Sequence, residues 1–298
     1  MCFLVMPMKI RHGIKRKIIQ IAAFGYSNPF LANFAGGNLY KGKWKQFCNP
    51  GMNCYSCPAA SLACPIGAMQ AVNGSAKFSA SFYVTGILLA FGLVFGRAGC
   101  GFLCPFGLIQ ELLHKIPSPK FHLPKPVTYL KYVLLAVFVL ILPVAVTNVV
   151  GGGDPAFCKF ICPVGTLEGG IPMLASHPEL RNVIGGLFSL KAVILVITLA
   201  GCVLVCRFFC KAMCPLGAIY GLCNKVSLYR VHVDIYSCIG CGRCRSECPM
   251  DVDPVQHPDS AECIRCGKCA AGCPADALSL GFRTRKREGD ASCYTTLQ

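Results

Sequence analysis

Long apolar blocks alternate with short basic or cysteine-bearing segments over the first three quarters of the chain. Residues 18–40, 78–96 and 132–153 carry no charge, and a fourth block, 182–206, is interrupted only by Lys191. Each is about as long as the roughly 20 apolar residues that a membrane-spanning helix needs. The pattern therefore predicts four spans, the first kinked at Pro29. Buried core helices are the alternative, but runs such as ILLAFGLVF and YVLLAVFVLILPVAV read as spans on hydropathy. No cleavable signal peptide is evident ahead of the first block.

Composition strengthens this reading. Hydrophobic residues make up 54% of the 298 and charged residues 14%, against about a quarter charged in a soluble domain. The formal charge is +16. With the N-terminus inside, segments facing the cytoplasm carry fourteen Lys and Arg and those facing outward carry six, counted along the sequence. That bias puts both termini in the cytoplasm. Much of the positive charge thus reads as membrane topology, and nucleic acid is not an expected partner. Walker and dinucleotide-binding glycine patterns are lacking, and the six histidines are scattered with none paired at i, i+4 inside a span, as expected of surface residues.

Twenty-three cysteines are far more than a chain this long needs for stapling. Residues 238–249 read CIGCGRCRSECP and residues 263–274 read CIRCGKCAAGCP. Each is C-x2-C-x2-C-x3-C-P, in which three close cysteines hold one iron–sulfur cube and the fourth reaches the other. One [4Fe–4S] cluster is expected on Cys238, Cys241, Cys244 and Cys273, and a second on Cys263, Cys266, Cys269 and Cys248. Two intact copies argue against zinc. A different motif, C-x3-C-P-x-G, occurs at Cys100/Cys104, Cys158/Cys162 and Cys210/Cys214. Each copy offers two ligands, so two copies must meet to hold a cluster. A further segment, CNPGMNCYSCPAASLACPIG, ends in the same C-P-x-G and contains Cys48, Cys54, Cys57 and Cys64. A disulfide is the alternative there.

The C-P pairs at Cys64, Cys104, Cys162 and Cys214 each follow an apolar block, so blocks one and two repeat as blocks three and four. A two-fold internal repeat along the membrane normal follows. It places Cys100, Cys104, Cys210 and Cys214 at an inner cluster. For an outer cluster it favours Cys57, Cys64, Cys158 and Cys162, with Cys48 and Cys54 as rival ligands. Cys2, Cys202, Cys206, Cys223 and Cys293 read as packing.

GRAGCGFLCPFGLIQ, CKAMCPLGAIYG and the double ferredoxin run resemble the NapH/NosR-type membrane polyferredoxins over roughly residues 80–280. The resemblance implies electron transfer between a quinone or cytoplasmic donor and an exported acceptor. The chain departs from that family in its CNPGMNCYSCPAASLACPIG segment and in the third pair, and it lacks the flavin domain of NosR.

The expected fold is an α-helical membrane protein of about four transmembrane helices with an internal two-fold repeat, followed by an α+β ferredoxin-like domain. The expected boundaries are 1–228 for the membrane domain, 229–284 for the ferredoxin domain and 285–298 for a flexible tail. The expected function is a multi-pass electron carrier in the cytoplasmic membrane, contacting lipid, a reductase or cytochrome partner and a quinol. It reads as an electron-transfer subunit rather than a catalyst. The alternatives are an accessory reductase for metalloenzyme maturation and a redox-sensing regulator.

Overall fold

The computed structural model describes residues 6–74, 81–146 and 153–282. Cys2, Cys293 and the tail 285–298 lie outside the described residues. The fold is mostly helical, with one small sheet. The long helices are α1 (Met6–Ser27), α3 (Ser81–Phe95), α6 (Lys125–Ala145) and α9 (Gly186–Leu204). Shorter helices lie between and after them: α2 (Pro65–Asn73), α4 (Ala98–Phe102), α5 (Pro105–Leu113), α7 (Phe157–Ile161), α8 (163–176), α10 (Phe208–Ala212) and α11 (Pro215–Cys223). Helix α7 and the 166–170 turn of α8 are π-helical.

Two helices, α6 and α9, are long and apolar enough to cross a membrane, and Phe82–Phe95 is a shorter apolar helix. Only 28% and 17% of the apolar windows of α6 and α9 are buried within the protein, the reverse of a soluble core helix. Val193, Val196 and Ile197 on α9 face outward, as do Val133, Ile141 and Val144 on α6.

The first block folds differently from the expected span. Helix α1 ends at Ser27, and residues 28–40 hold only a one-turn helix, Asn33–Gly36. Proline disfavours the helical conformation of the residue before it, so Asn28–Pro29 stops the helix instead of kinking it. The helix begins earlier than the apolar block, taking in Lys15, Arg16 and Lys17, and it is amphipathic. Ile18 and Ile21 face outward while Arg16 and Gln20 are buried against α4 and α5. Gln20 Nε2 donates to the Gly101 carbonyl at 3.0 Å, and Arg16 Nη2 pairs with Glu111 at 2.6 Å.

The C-terminal part is built on β1 (Tyr229–Val233) and β2 (Leu278–Phe282), antiparallel with Val231 opposite Leu280. Two one-turn helices, α12 (Arg243–Ser246) and α13 (Lys268–Gly272), follow the second cysteine of each ferredoxin run. The two runs share a left-handed backbone position but fill it with different residues. Gly240 has φ +66° in the first run, and Arg265 takes its place with φ +50° in the second. A side chain in the left-handed region costs roughly 1–2 kcal/mol. Arg265 offsets it by docking: its guanidinium, almost fully buried, donates to Ser227 Oγ and to the Asn224 carbonyl. Asn224 Nδ2 in turn donates to the Ser260 and Cys263 carbonyls at 2.8 Å. The second ferredoxin loop is therefore fixed to the helical body just after α11.

Candidate metal centres

The C-P-x-G motif is a helix start. Cys64, Cys104, Cys162 and Cys214 each occupy the N-cap position, with the proline at the first helical residue. Proline suits that place because its missing N–H would have no partner there. The glycine stands at the third helical position, where the N–H points back at the capping side chain. Gly217 N donates to Cys214 Sγ at 3.3 Å and Gly165 N to Cys162 Sγ at 3.5 Å. Cys64 and Cys104 cap their helices without such a bond, although the N–H groups of Gly67 and Gly107 lie close enough to favour their thiolates. Each motif thus aims backbone N–H groups at a sulfur, a setting that favours thiolate.

Cys100, Cys104, Cys210 and Cys214 line one small enclosed cavity, as the repeat requires, together with Met52, Phe106, Phe209 and Arg97. Two guanidiniums cross between the repeat halves. Arg97, three residues before Cys100, donates to the Cys210 carbonyl at 2.6 Å; Arg207, three residues before Cys210, donates to the Cys100 carbonyl at 2.6 Å. Both are wholly buried. The motif glycines make room for them. A Cβ on Gly217 would lie 3.0 Å from Arg97 Nη2, and one on Gly107 would lie 3.3 Å from Arg207 Nη2. Glu111 neutralises Arg207, with Arg16 and Lys17 also on it, and this surplus of cations holds its carboxyl well below the usual range despite burial.

Cys48, Cys54, Cys64, Cys158 and Cys162 line a larger cavity of about 450 Å³. Cys57 does not line it. Cys57 packs instead with Ala59 and Ala60, its sulfur 3.8 Å from Asn28 Oδ1. The repeat explains the change of cysteine. Position i−4 from Cys64 is Ala60, so this copy lacks its first cysteine, and the loop brings Cys54 there from further upstream. A Cβ on Gly165 would sit 3.6 Å from Cys54 Sγ and 4.0 Å from Cys162 Sγ.

The residue six places after each C-P cysteine reaches the opposite motif. Gln110 Nε2 donates to Cys210 Sγ at 3.1 Å and Gln70 Nε2 to Cys158 Sγ at 3.3 Å. Tyr220 is buried beside Cys100 and Cys104. Glu168 accepts from the Cys54 N–H at 2.9 Å.

In the C-terminal domain, Cys238, Cys241, Cys244 and Cys273 line one pocket, and Cys248, Cys263, Cys266 and Cys269 line another. Each fourth cysteine lies with the opposite run. If the eight act as this geometry suggests, Cys248→Ala should broaden or abolish the signal of the site on Cys263, Cys266 and Cys269, and Cys273→Ala that of the other. Electron paramagnetic resonance of each variant checks this; damage confined to a cysteine's own run would rule the crossing out.

The donor sets fit iron–sulfur cubes. Burial, with the Cys210 and Cys100 thiols beside it, pushes the Cys104 thiol up to about 12; burial pushes Cys100 up to about 11 against the pull of Arg97. Four buried thiolates are costly without a metal charge to balance them. Among the described residues no three cysteine, histidine or acidic side chains converge as one bound ion needs. Each set instead offers cysteine sulfur, the donor that iron–sulfur clusters take. Aligning the C-P-x-G copies shows Arg at −3 from the first cysteine in two of them and Gln, Gln, Glu and Tyr at +6 from the last, a signal that cysteine spacing alone leaves unread.

A 4Fe-4S binding domain family matches residues 78–124, 132–172 and 188–233, and a second 4Fe-4S binding domain family matches 257–279. An uncharacterised protein of Methanocaldococcus jannaschii, MJ0750, is 31% identical over 206 residues, which is 67% of this chain and 79% of that protein. The chain belongs to this 4Fe–4S-binding family. A second uncharacterised protein of that organism, MJ0749, is 27% identical over 57% of this chain, and the chain spans only 57% of its length. The methylamine utilization ferredoxin-type protein MauN of Methylorubrum extorquens is 29% identical over 78% of this chain and 73% of its own. No solved structure matches. As a 4Fe–4S protein of the ferredoxin type, the chain carries its clusters on cysteine sulfur.

Proposed function

We propose that the chain is a membrane-bound electron carrier in which four cysteine sites form one continuous path. The observation that carries this reading is the contact between neighbouring sites. Cys241 is exposed and Tyr236 and Ile239 beside it protrude, so the first ferredoxin site is open to a soluble partner. Its neighbour, on Cys248, Cys263, Cys266 and Cys269, rests against the inner site. A Cβ on Gly101 would come within 2.6 Å of the Ile264 carbonyl. Arg97 spans the junction, donating to Ala261 O and Glu262 on one side and to Cys210 O on the other. Met52 lines both the inner and the outer cavity, so these two sites lie back to back. Bound clusters supply reversible one-electron chemistry, tuned by hydrogen bonds and burial. The residues position the ligands, exclude water from the inner site and leave both ends of the path accessible.

The ligands in this reading are the two ferredoxin quartets, Cys100, Cys104, Cys210 and Cys214 inside, and Cys54, Cys64, Cys158 and Cys162 outside. The membrane domain is 1–228 and the ferredoxin domain 229–284, with four membrane-embedded helices and both termini cytoplasmic. Trp44, Phe47 and Tyr55, exposed near the outer cavity, suit a membrane interface. The NapH/NosR resemblance adds a quinol or an exported reductase as the partner at that end. In vesicles, an impermeant reductant on the ferredoxin side should reduce an impermeant acceptor on the other, and a reporter fused after Gln298 should work only in the cytoplasm. Absence of transfer across the bilayer in protein that retains its iron would end the carrier reading.

Cys48 favours a second reading, an accessory reductase for metalloenzyme maturation. It is a fifth thiol in the outer cavity, outside the repeat's quartet. Loss of a partner enzyme's metal centre in a Cys48→Ser strain, with electron transfer intact, would favour it.

A further inference from the structure

The inner and outer sites are matched in ligand type and in their amide donors. Gln110 donates to Cys210 Sγ and Gln70 to Cys158 Sγ at nearly equal distances, so these bonds do not distinguish the sites. Fixed charge does. At the inner site two wholly buried guanidiniums, Arg97 and Arg207, donate to the carbonyls of ligand-bearing residues. Their counter-charges are outnumbered. Glu262 is shared by Arg97 and Lys131, and Glu111 by Arg207, Arg16 and Lys17. Lys211 nearby is matched by Asp251.

At the outer site the cations are Lys191, which donates to Cys158 O at 3.2 Å, and Lys45, which donates to Tyr55 O; Lys159, next to Cys158, is matched by Asp154. Opposing them, Glu168 directs its carboxyl at the Cys54 N–H and forms no ion pair among the described residues; burial pushes this carboxyl up to about 7, so it carries a full negative charge only above that pH. Glu168 holds the repeat position that is Gln70, Gln110 and Tyr220 in the other copies. An added electron makes a site more negative, so nearby positive charge stabilises it and a carboxylate opposes it, most strongly where water is excluded. The wetter outer cavity works the other way, since water also stabilises added charge. Water screens at a distance, however, whereas the guanidiniums and the carboxyl act in direct contact with ligand-bearing residues.

We propose that Arg97 and Arg207 on one side and Glu168 on the other set the two membrane sites at unequal potentials, so that an electron shared between them resides at the inner site. This rests on the reading that both sites hold clusters. The test is a redox titration of the purified full chain well above pH 7, where Glu168 is ionised, followed by electron paramagnetic resonance, with iron analysis alongside. Two membrane-site signals should titrate at separate midpoints. Glu168→Gln, which can still accept from the Cys54 N–H, should raise the lower midpoint and leave the higher one in place. Arg207→Gln should lower the higher midpoint; Glu111 keeps Arg16 and Lys17 in that variant. If Glu168→Gln moves the higher midpoint, or moves neither in protein with full iron, the proposal is overturned. If Arg207→Gln does not fold, Glu168→Gln alone decides. Missing iron in the wild type would instead remove the underlying reading, an outcome that iron analysis separates from the first.

Discussion

Replacing Cys210 and Cys214 together by serine should remove about four of about sixteen irons per chain, one [4Fe–4S] cube. Replacing Cys100 and Cys104 should remove the same four, and replacing all four cysteines should remove no more. The reason is the shared cavity: the pairs come from opposite halves of the repeat yet line one void. Groups that act as a unit give non-additive losses. Each half alone leaves two cysteines, too few to hold a four-ligand cube. The structural cost should be moderate, because Arg97 and Arg207 bond to backbone carbonyls, which serine retains. Iron analysis on anaerobically purified protein checks the stoichiometry. Additive loss, eight irons for the quadruple variant, would mean that the pairs serve separate sites. A wild-type value near eight irons would leave only the ferredoxin clusters and remove the membrane path.

Much of this was legible in the sequence because metal ligation leaves spacing as its trace. The two ferredoxin runs and their crossed fourth cysteines follow from C-x2-C-x2-C-x3-C-P, and the structure groups those eight residues in the expected way. The meeting of Cys100/Cys104 with Cys210/Cys214 follows from the repeat. Charge was harder to read. Lys15, Arg16 and Lys17 count as cytoplasmic topology signals in the sequence, yet Arg16 is buried and pairs with Glu111 inside the protein. Hydropathy marks apolar blocks but not the helix stop that Pro29 imposes, so the first helix, Met6–Ser27, begins and ends ahead of the apolar block 18–40. One methionine, Met52, lines both the inner and the outer cavity, a closeness that spacing does not reveal. A loop returning into a helical body leaves no periodic signal, and neither does a guanidinium crossing between two halves.

The outer site provides the sharpest test of reading a repeat by geometry rather than by spacing. Cys57 stands in a C-x2-C with Cys54 and is the nearer of the two to Cys64 in sequence, so spacing favours it. In the fold, Cys54 lines the outer cavity and Cys57 does not. Cys57 is held in a small apolar cluster with Ala59 and Ala60, against which Cys54 also packs, and it is Cys54 that lies beside Cys162 across Gly165. Glu168, bonded to the Cys54 N–H, anchors that loop against the second half of the repeat. Cys54→Ser should therefore lose one cube, about four irons, together with one membrane-site signal, whereas Cys57→Ser should keep all of about sixteen. The burial of Cys57 lets its serine variant cost some stability, about 1–3 kcal/mol for a hydroxyl placed in an apolar cluster, so thermal unfolding is measured beside iron content. A Cys57→Ser variant that folds and lacks one cube, next to a Cys54→Ser variant that retains it, would return the outer site to the assignment that spacing suggests. Cys48→Ser gives the remaining control: it lines the same cavity but has no counterpart in the repeat, so its loss should leave the iron count unchanged.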